Sequence, residues 1–205
     1  MTWPTYVALG DSLTAGKGDQ GPDGRRIGWA QRLADMLTAR TAVPCSLTNL
    51  AADGATVGVV LAQQLPLVAG LRPDLVSVTV GMNDIRAADF SPQAFGLGLG
   101  RLLDGLTAAG TTVLACTLPD IAEIIPLPPA FIDVARQRIR LASDVIREQA
   151  AGPGVICLDA WAMTGTADPK LFSPDRLHPN ASGHSLMASA FAELLLPGLP
   201  VISEP

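Results

Sequence analysis

The pattern that most limits how this chain can fold is an alternation of two kinds of segment. Five short runs rich in apolar and β-branched residues lie at 6–9, 46–50, 75–80, 112–117 and 155–158. Between them, near 27–40, 56–69, 92–109 and 131–150, and again near 181–196, apolar residues fall at helical spacing. Ile132, Ala135, Ile139, Ala142 and Ile146 step by three and four, which lays one apolar stripe along a helix. Leu186, Met187, Ala190, Phe191, Leu194 and Leu195 repeat that spacing near the C-terminus. Ser91-Pro92 has the form of an N-cap followed by proline at the first helical position, and Asn180 is placed to cap the last helix. Strand followed by helix, five times over, predicts an α/β protein with a parallel sheet covered by helices on both faces. The near-continuous apolar runs LVSVTV and TVLACT agree, because strands buried on both faces lose polar alternation.

A length of 205 residues predicts one domain, 1–205, with an irregular tail over 197–205, where three prolines fall. The chain is 48% hydrophobic and 16% charged, ample for a buried core. Its formal charge is −5 and its longest basic cluster is Arg25-Arg26, which argues against nucleic acid or an anionic membrane surface as a partner. No apolar run reaches the roughly 18 residues of a membrane span, and residues 1–5 lack a basic leader region, so the sequence reads as cytoplasmic. Cys45, Cys116 and Cys157 are odd in number and widely spaced, which predicts small core side chains rather than a disulfide framework or metal site. The Gly-rich stretch 16–28 reads as a mobile loop.

In a parallel α/β sheet, ligands bind outside the carboxyl ends of the strands. The segments there are Gly10-Asp11-Ser12, Asn49 to Gly54, Gly81 to Asp84, Pro119-Asp120, and the loop leading to Asp175 and His178. Acyl chemistry needs a hydroxyl, a base, a carboxylate to orient that base, and donors for the oxyanion. Of the two histidines, His184 lies inside the apolar last helix and reads as structural, whereas His178 follows Asp175 by three residues. That spacing lets the carboxylate fold back and hold the ring from behind while its other nitrogen faces a serine. Gly54 and Ser12 offer backbone N–H groups and Asn83 offers its amide. Asp11 and Asp84 read as residues that bond nearby backbone. Ile121, Ile124, Ile125, Leu127 and Phe131 either line an acyl pocket or pack beneath their own loop.

Four blocks, GDSLTAG, NLAADGAT, GMND and DRLHPN, occur in an order and spacing that resemble the SGNH, or GDSL, hydrolase family of esterases and lipases. The resemblance spans nearly the whole chain. It implies a three-layer, flavodoxin-like sheet of strand order 2-1-3-4-5. It also implies Ser12 as nucleophile, His178 as base, Asp175 as its orienter, and an oxyanion hole formed by Ser12, Gly54 and Asn83. On that reading the substrate is a small-molecule ester, with no metal and no cofactor. Hydrolysis of thioesters and transfer to an acceptor other than water remain open within the family. Outside it stand a flavodoxin-like ligand-binding module and a metal-dependent phosphoesterase using Asp11, Asp175 and His178.

Overall fold

The computed structural model describes residues 1–108 and 110–197, so most of the tail expected to be irregular lies outside the described residues. Its strands are β1 (Thr5–Gly10), β2 (Ser46–Asn49), β3 (Leu75–Thr79), β4 (Thr112–Cys116) and β5 (Val155–Leu158). They pair in parallel in the order β2-β1-β3-β4-β5, with Val7 opposite both Thr48 and Val76, and Leu114 opposite Ile156. Each expected strand is present, and no end is shifted by more than one residue.

Helices cover both faces because successive strand side chains point to opposite sides. Val7, Leu9, Val76, Val78, Val113 and Ala115 belong to one core with α4 (Pro92–Thr107) and α5 (Ile132–Gln149). Tyr6, Ala8, Leu75, Leu114 and Cys116 belong to the other, with α1 (Gly28–Thr41) and α6 (Ala181–Leu195). There Trp29 stacks on Phe191 at 5.0 Å between ring centres, fixing α1 to α6. Burying each large apolar side chain contributes about 1.5–3 kcal/mol. Ser91 accepts the Ala94 N–H, and Asn180 accepts those of Ser182 and Gly183, so both expected caps form.

The helix expected near 56–69 is interrupted. Short α2 (Val57–Val59) runs into a π-helical turn, Val60–Gln64, and then into α3 (Leu65–Leu71). Pro66 follows at once; it has no N–H to donate, and its ring would press on the carbonyl four residues earlier in a regular helix, so the wider turn relieves it. The bulge also brings Gln64 inward. Its buried carboxamide accepts the Gly10 N–H at 2.8 Å and donates to the Gly10 carbonyl at 2.9 Å. Ser143 of α5 does the same for Leu118 just beyond β4, accepting its N–H and donating to its carbonyl, both at 3.1 Å. Helix side chains thus satisfy backbone where the strand ladder stops.

The stretch 16–28, expected to be mobile, is tied down. Buried Asp19 accepts Arg32 Nε at 2.8 Å and the Gly28 N–H, while its own carbonyl accepts from Ile27. Burial works against the Asp19 carboxylate, but the Arg32 guanidinium outweighs it and holds the pKa below its ordinary value. His184 Nδ1 accepts the Trp29 N–H and Nε2 donates to the Lys17 carbonyl, both at 3.1 Å. This places the proton on Nε2, and burial keeps the ring neutral by lowering its pKa.

Candidate active site

β1 ends on Gly10, whose φ of +140° suits glycine. A Cβ there would stand 2.2 Å from the Thr79 carbonyl oxygen on β3, so only glycine lets the chain turn so close to its neighbour. Asp11 then accepts the Leu13 N–H at 3.0 Å, and the Asp11 and Ser12 carbonyls accept from Ala15 and Lys17. The turn leaves Ser12 half-buried at the carboxyl edge of the sheet, between β1 and β3, where strand order reverses. Asn49, ending β2, donates to the Thr14 carbonyl at 2.7 Å and braces the same turn.

Ser12 Oγ lies 2.8 Å from His178 Nε2, and His178 Nδ1 lies 2.7 Å from Asp175 Oδ2. The other carboxylate oxygen, Asp175 Oδ1, accepts the backbone N–H groups of Leu177 and His178 at 3.0 Å. Burial pushes the Asp175 carboxyl up, but these two N–H bonds, the ring contact and the imidazole's charge outweigh it and hold its pKa at about 2. It is therefore ionised at neutral pH, which draws the imidazole proton to Nδ1 and leaves Nε2 to face the Ser12 hydroxyl. The loop is fixed at both ends: Ser173 donates its N–H to the His178 carbonyl, and the Asn180 side chain donates to the carbonyls of Lys170 and Phe172.

Gly54 lies in an exposed turn at φ +79°, with open space where a Cβ would stand. Asp53 beside it is clamped by Arg26 at 2.6 and 3.0 Å, which ties this turn to the stretch 16–28. Among the described residues neither the Ser12 N–H nor the Gly54 N–H has a protein acceptor. Asn83 Nδ2 donates to the Ala55 carbonyl at 3.0 Å and, over a longer 3.3 Å, to Asp11 Oδ2. Asp84 accepts the Val57 N–H with its carboxylate.

Ser12, Gly54, Asn83 and His178 line one cavity of about 300 Å³. Of the five apolar residues considered for an acyl pocket, only Ile121 lines it. Ile124 is buried in the core and Ile125 packs against it, while Leu127 and Phe131 are exposed. The wall comes instead from Met82, Leu118, Leu158, Ala160, Met163, Phe172 and Met187, with Lys17 and Arg86 contributing cationic side chains. Met82 lay within the GMND segment, Leu158 closed an apolar strand and Met187 belonged to the stripe of the last helix, but nothing local marks them as cavity wall, and Leu118, Ala160, Met163 and Phe172 sit singly in loops. Among the described residues no group of three His, Cys, Asp or Glu side chains is arranged to hold a metal, and no helix is long and apolar enough to cross a membrane.

Asp11 carries a consequence for stability. Burial, with the negative charges of Asp84 and Asp53, pushes its pKa up to about 6 against the opposing Leu13 N–H bond. The folded state thus holds this proton more tightly than the unfolded chain, whose aspartates titrate near about 3.9. Its contribution is full below about pH 4 and is lost as pH rises through about 6, by up to about 3 kcal/mol. Asp11→Asn, compared with the wild type by urea unfolding at pH 4 and 7, is expected to gain in relative stability at pH 7. A constant difference between the two proteins would show that Asp11 does not titrate in this way.

Residues 8–186 match the model of the GDSL-like lipase/acylhydrolase family. A GDSL-like esterase of Mycobacterium tuberculosis is 32% identical over 184 residues, which is 83% of this chain; the chain spans only 57% of that relative's length. An acetylxylan esterase of Geobacillus stearothermophilus is 26% identical over 200 residues, covering 89% of this chain and 90% of its own. Among solved structures, LAE5, described as an alpha/beta hydrolase enzyme from the metagenome of Lake Arreo in Spain, superposes with a TM-score of 0.74 at 26% identity, covering 93% of this chain and 94% of that one. The family match runs from within β1 into α6 and so takes in all five strands and the loops that carry Ser12, Asn83 and His178: this chain belongs to the GDSL-like lipase/acylhydrolase family.

Proposed function

We propose that this protein hydrolyses carboxylic esters of small molecules through an acyl-enzyme on Ser12. The observation that carries the reading is the unbroken line of contacts from Ser12 Oγ through the His178 ring to Asp175, at 2.8 and 2.7 Å. Ser12 Oγ attacks the ester carbon while His178 Nε2 takes the hydroxyl proton, and the cation so formed is stabilised by Asp175. The carbonyl oxygen becomes an oxyanion that receives the Ser12 and Gly54 N–H groups. Asn83 joins them by giving up its long bond to Asp11 and keeping the one to Ala55. His178 then passes the proton to the departing alkoxide, which leaves as alcohol. Water, deprotonated by the same nitrogen, attacks the acyl-enzyme and releases the acid and free Ser12. Thioester hydrolysis or transfer to another acceptor would use the same acyl-enzyme and differ only in the leaving group or the nucleophile of the second half.

An ethyl fluorophosphonate probe tests this directly. Intact-protein and peptide mass spectrometry should find one adduct, on the peptide carrying Ser12, formed equally in the presence of a chelator. Labelling elsewhere, or none while esters are still turned over, would remove Ser12 from the nucleophile's role.

A further inference from the structure

The cavity does not stop at the serine. Its lining takes residues from the carboxyl ends of β1, β3, β4 and β5 in turn: Ser12, Val80, Leu118, then Leu158 and Ala160. Three strand spacings separate the first from the last, about 14 Å. Charge is distributed unevenly along it. Asp11 and Lys17, Asp53, and Arg86 come from the loops after β1, β2 and β3, whereas the lining contributed after β4 and β5 and from α6 includes no Asp, Glu, Lys or Arg. The floor at that end is buried, with Leu118, Leu158 and Ala160 each below one-tenth exposed. It is also held in place. Ser143 brackets Leu118, and Arg147 grips Asp159, between Leu158 and Ala160, at 2.9 and 3.0 Å. Thr117 Oγ1 donates to the same carboxylate and accepts the Trp161 N–H. The wall, by contrast, includes Met163 and Met187, flexible side chains that adapt to a variable apolar guest.

We propose that the substrate is an ester carrying a linear hydrocarbon chain of medium length, laid along this edge from Ser12 toward β5, with Ala160 and Met163 determining how long a chain is accepted. This rests on the ester-hydrolase reading above. A trough with a fixed apolar floor and no Asp, Glu, Lys or Arg on its β4–β5 side, about as long as an octanoyl or decanoyl chain, gains with every methylene it removes from water, and past Ser12 only Thr79, Thr117 and Thr166 bring side-chain hydroxyls to meet a sugar's.

The test compares kcat/KM for p-nitrophenyl esters from acetate to decanoate with that for acetate esters of alcohols from ethanol to decanol. One series should climb by about two- to fourfold per methylene through eight carbons, and the other should stay flat; the climbing series identifies whether the chain belongs to the acid or the alcohol. Ala160→Leu should lower the eight-carbon to two-carbon ratio in that series by about tenfold, and Met163→Ala should move the optimum to longer chains. Two flat series, or ratios unmoved by both substitutions, would overturn the proposal while leaving the hydrolase reading intact. A measurement independent of turnover separates the two: calorimetric binding of octan-1-ol and butan-1-ol to the Ser12→Ala protein. Octan-1-ol should bind more than about tenfold tighter, and Ala160→Leu introduced into that protein should erase most of the difference. Equal affinities would refute the trough. Tight octan-1-ol binding by a protein that cleaves no ester would keep the trough and reject the hydrolase reading.

Discussion

Ser12→Ala is expected to lower kcat for p-nitrophenyl ester hydrolysis by about 10⁵–10⁶-fold, and adding His178→Ala to that protein should cost almost nothing more. The reason lies in the 2.8 Å contact between Ser12 Oγ and His178 Nε2. An imidazole with no hydroxyl to deprotonate does little for the first step, and a hydroxyl with no base is a weak nucleophile at neutral pH. The two single losses should therefore be similar and grossly non-additive. Asp175→Asn belongs to the same experiment and should cost less, about 10⁴-fold. The amide can still touch the ring but no longer holds its proton on Nδ1 or stabilises the imidazolium. Losses that multiplied across the double variant would mean that Ser12 and His178 act separately and would dismiss the shared mechanism. A rate that survived Ser12→Ala would do so more simply.

The second large effect concerns folding. Gly10→Ala would set a methyl group 2.2 Å from the Thr79 carbonyl oxygen and 2.9 Å from Thr14 Oγ1, at a φ of +140° that alanine rarely adopts. Neither β1 nor β3 can move aside easily, because both are paired on two sides and Gln64 grips Gly10 by its N–H and carbonyl. The expected loss exceeds about 4 kcal/mol, in the range reserved for overpacked or strained sites. In a chain of this size that lowers Tm by about 10 °C or more, or leaves no folded protein to recover. Gly54→Ala is the matched control: φ is again positive, but space is open, so only the conformational cost of about 1–2 kcal/mol applies. Similar Tm values for the two variants would mean that the clash at Gly10 is relieved at no cost.

Much of this was legible in the amino-acid sequence because it obeys short-range rules. Strand runs show as β-branched clusters, helices as three- and four-residue steps, caps as Ser91 and Asn180, and Asp175 is tied to His178 by a spacing of three. What stayed hidden depends on contacts between distant segments. Gln64, beside Gln63, and Ser143, beside Asp144, read as ordinary polar positions of their helices, and nothing in their neighbourhood says that each satisfies a strand end. Asp19, Arg32 and His184 carry no joint periodicity, so the stretch they pin read as mobile from its glycines alone. The apolar loop after β4 attracted attention for its density of isoleucine and leucine. Density does not give direction, and apart from Ile121 those side chains turn into the core or toward solvent while single methionines from elsewhere form the wall.

The placement of Asp175 and His178 on one short loop has a mechanical consequence. Since the carboxylate is locked to the imidazole by its own chain and by two neighbouring N–H groups, acid and ring travel as a single part. The three-residue assembly then has one joint instead of two, the gap between that part and Ser12. Thermal motion of the loop against the sheet varies a single length, and errors in aligning the members do not accumulate. The relative placement of the three side chains is then set by one spacing, between the turn after β1 and the loop before α6.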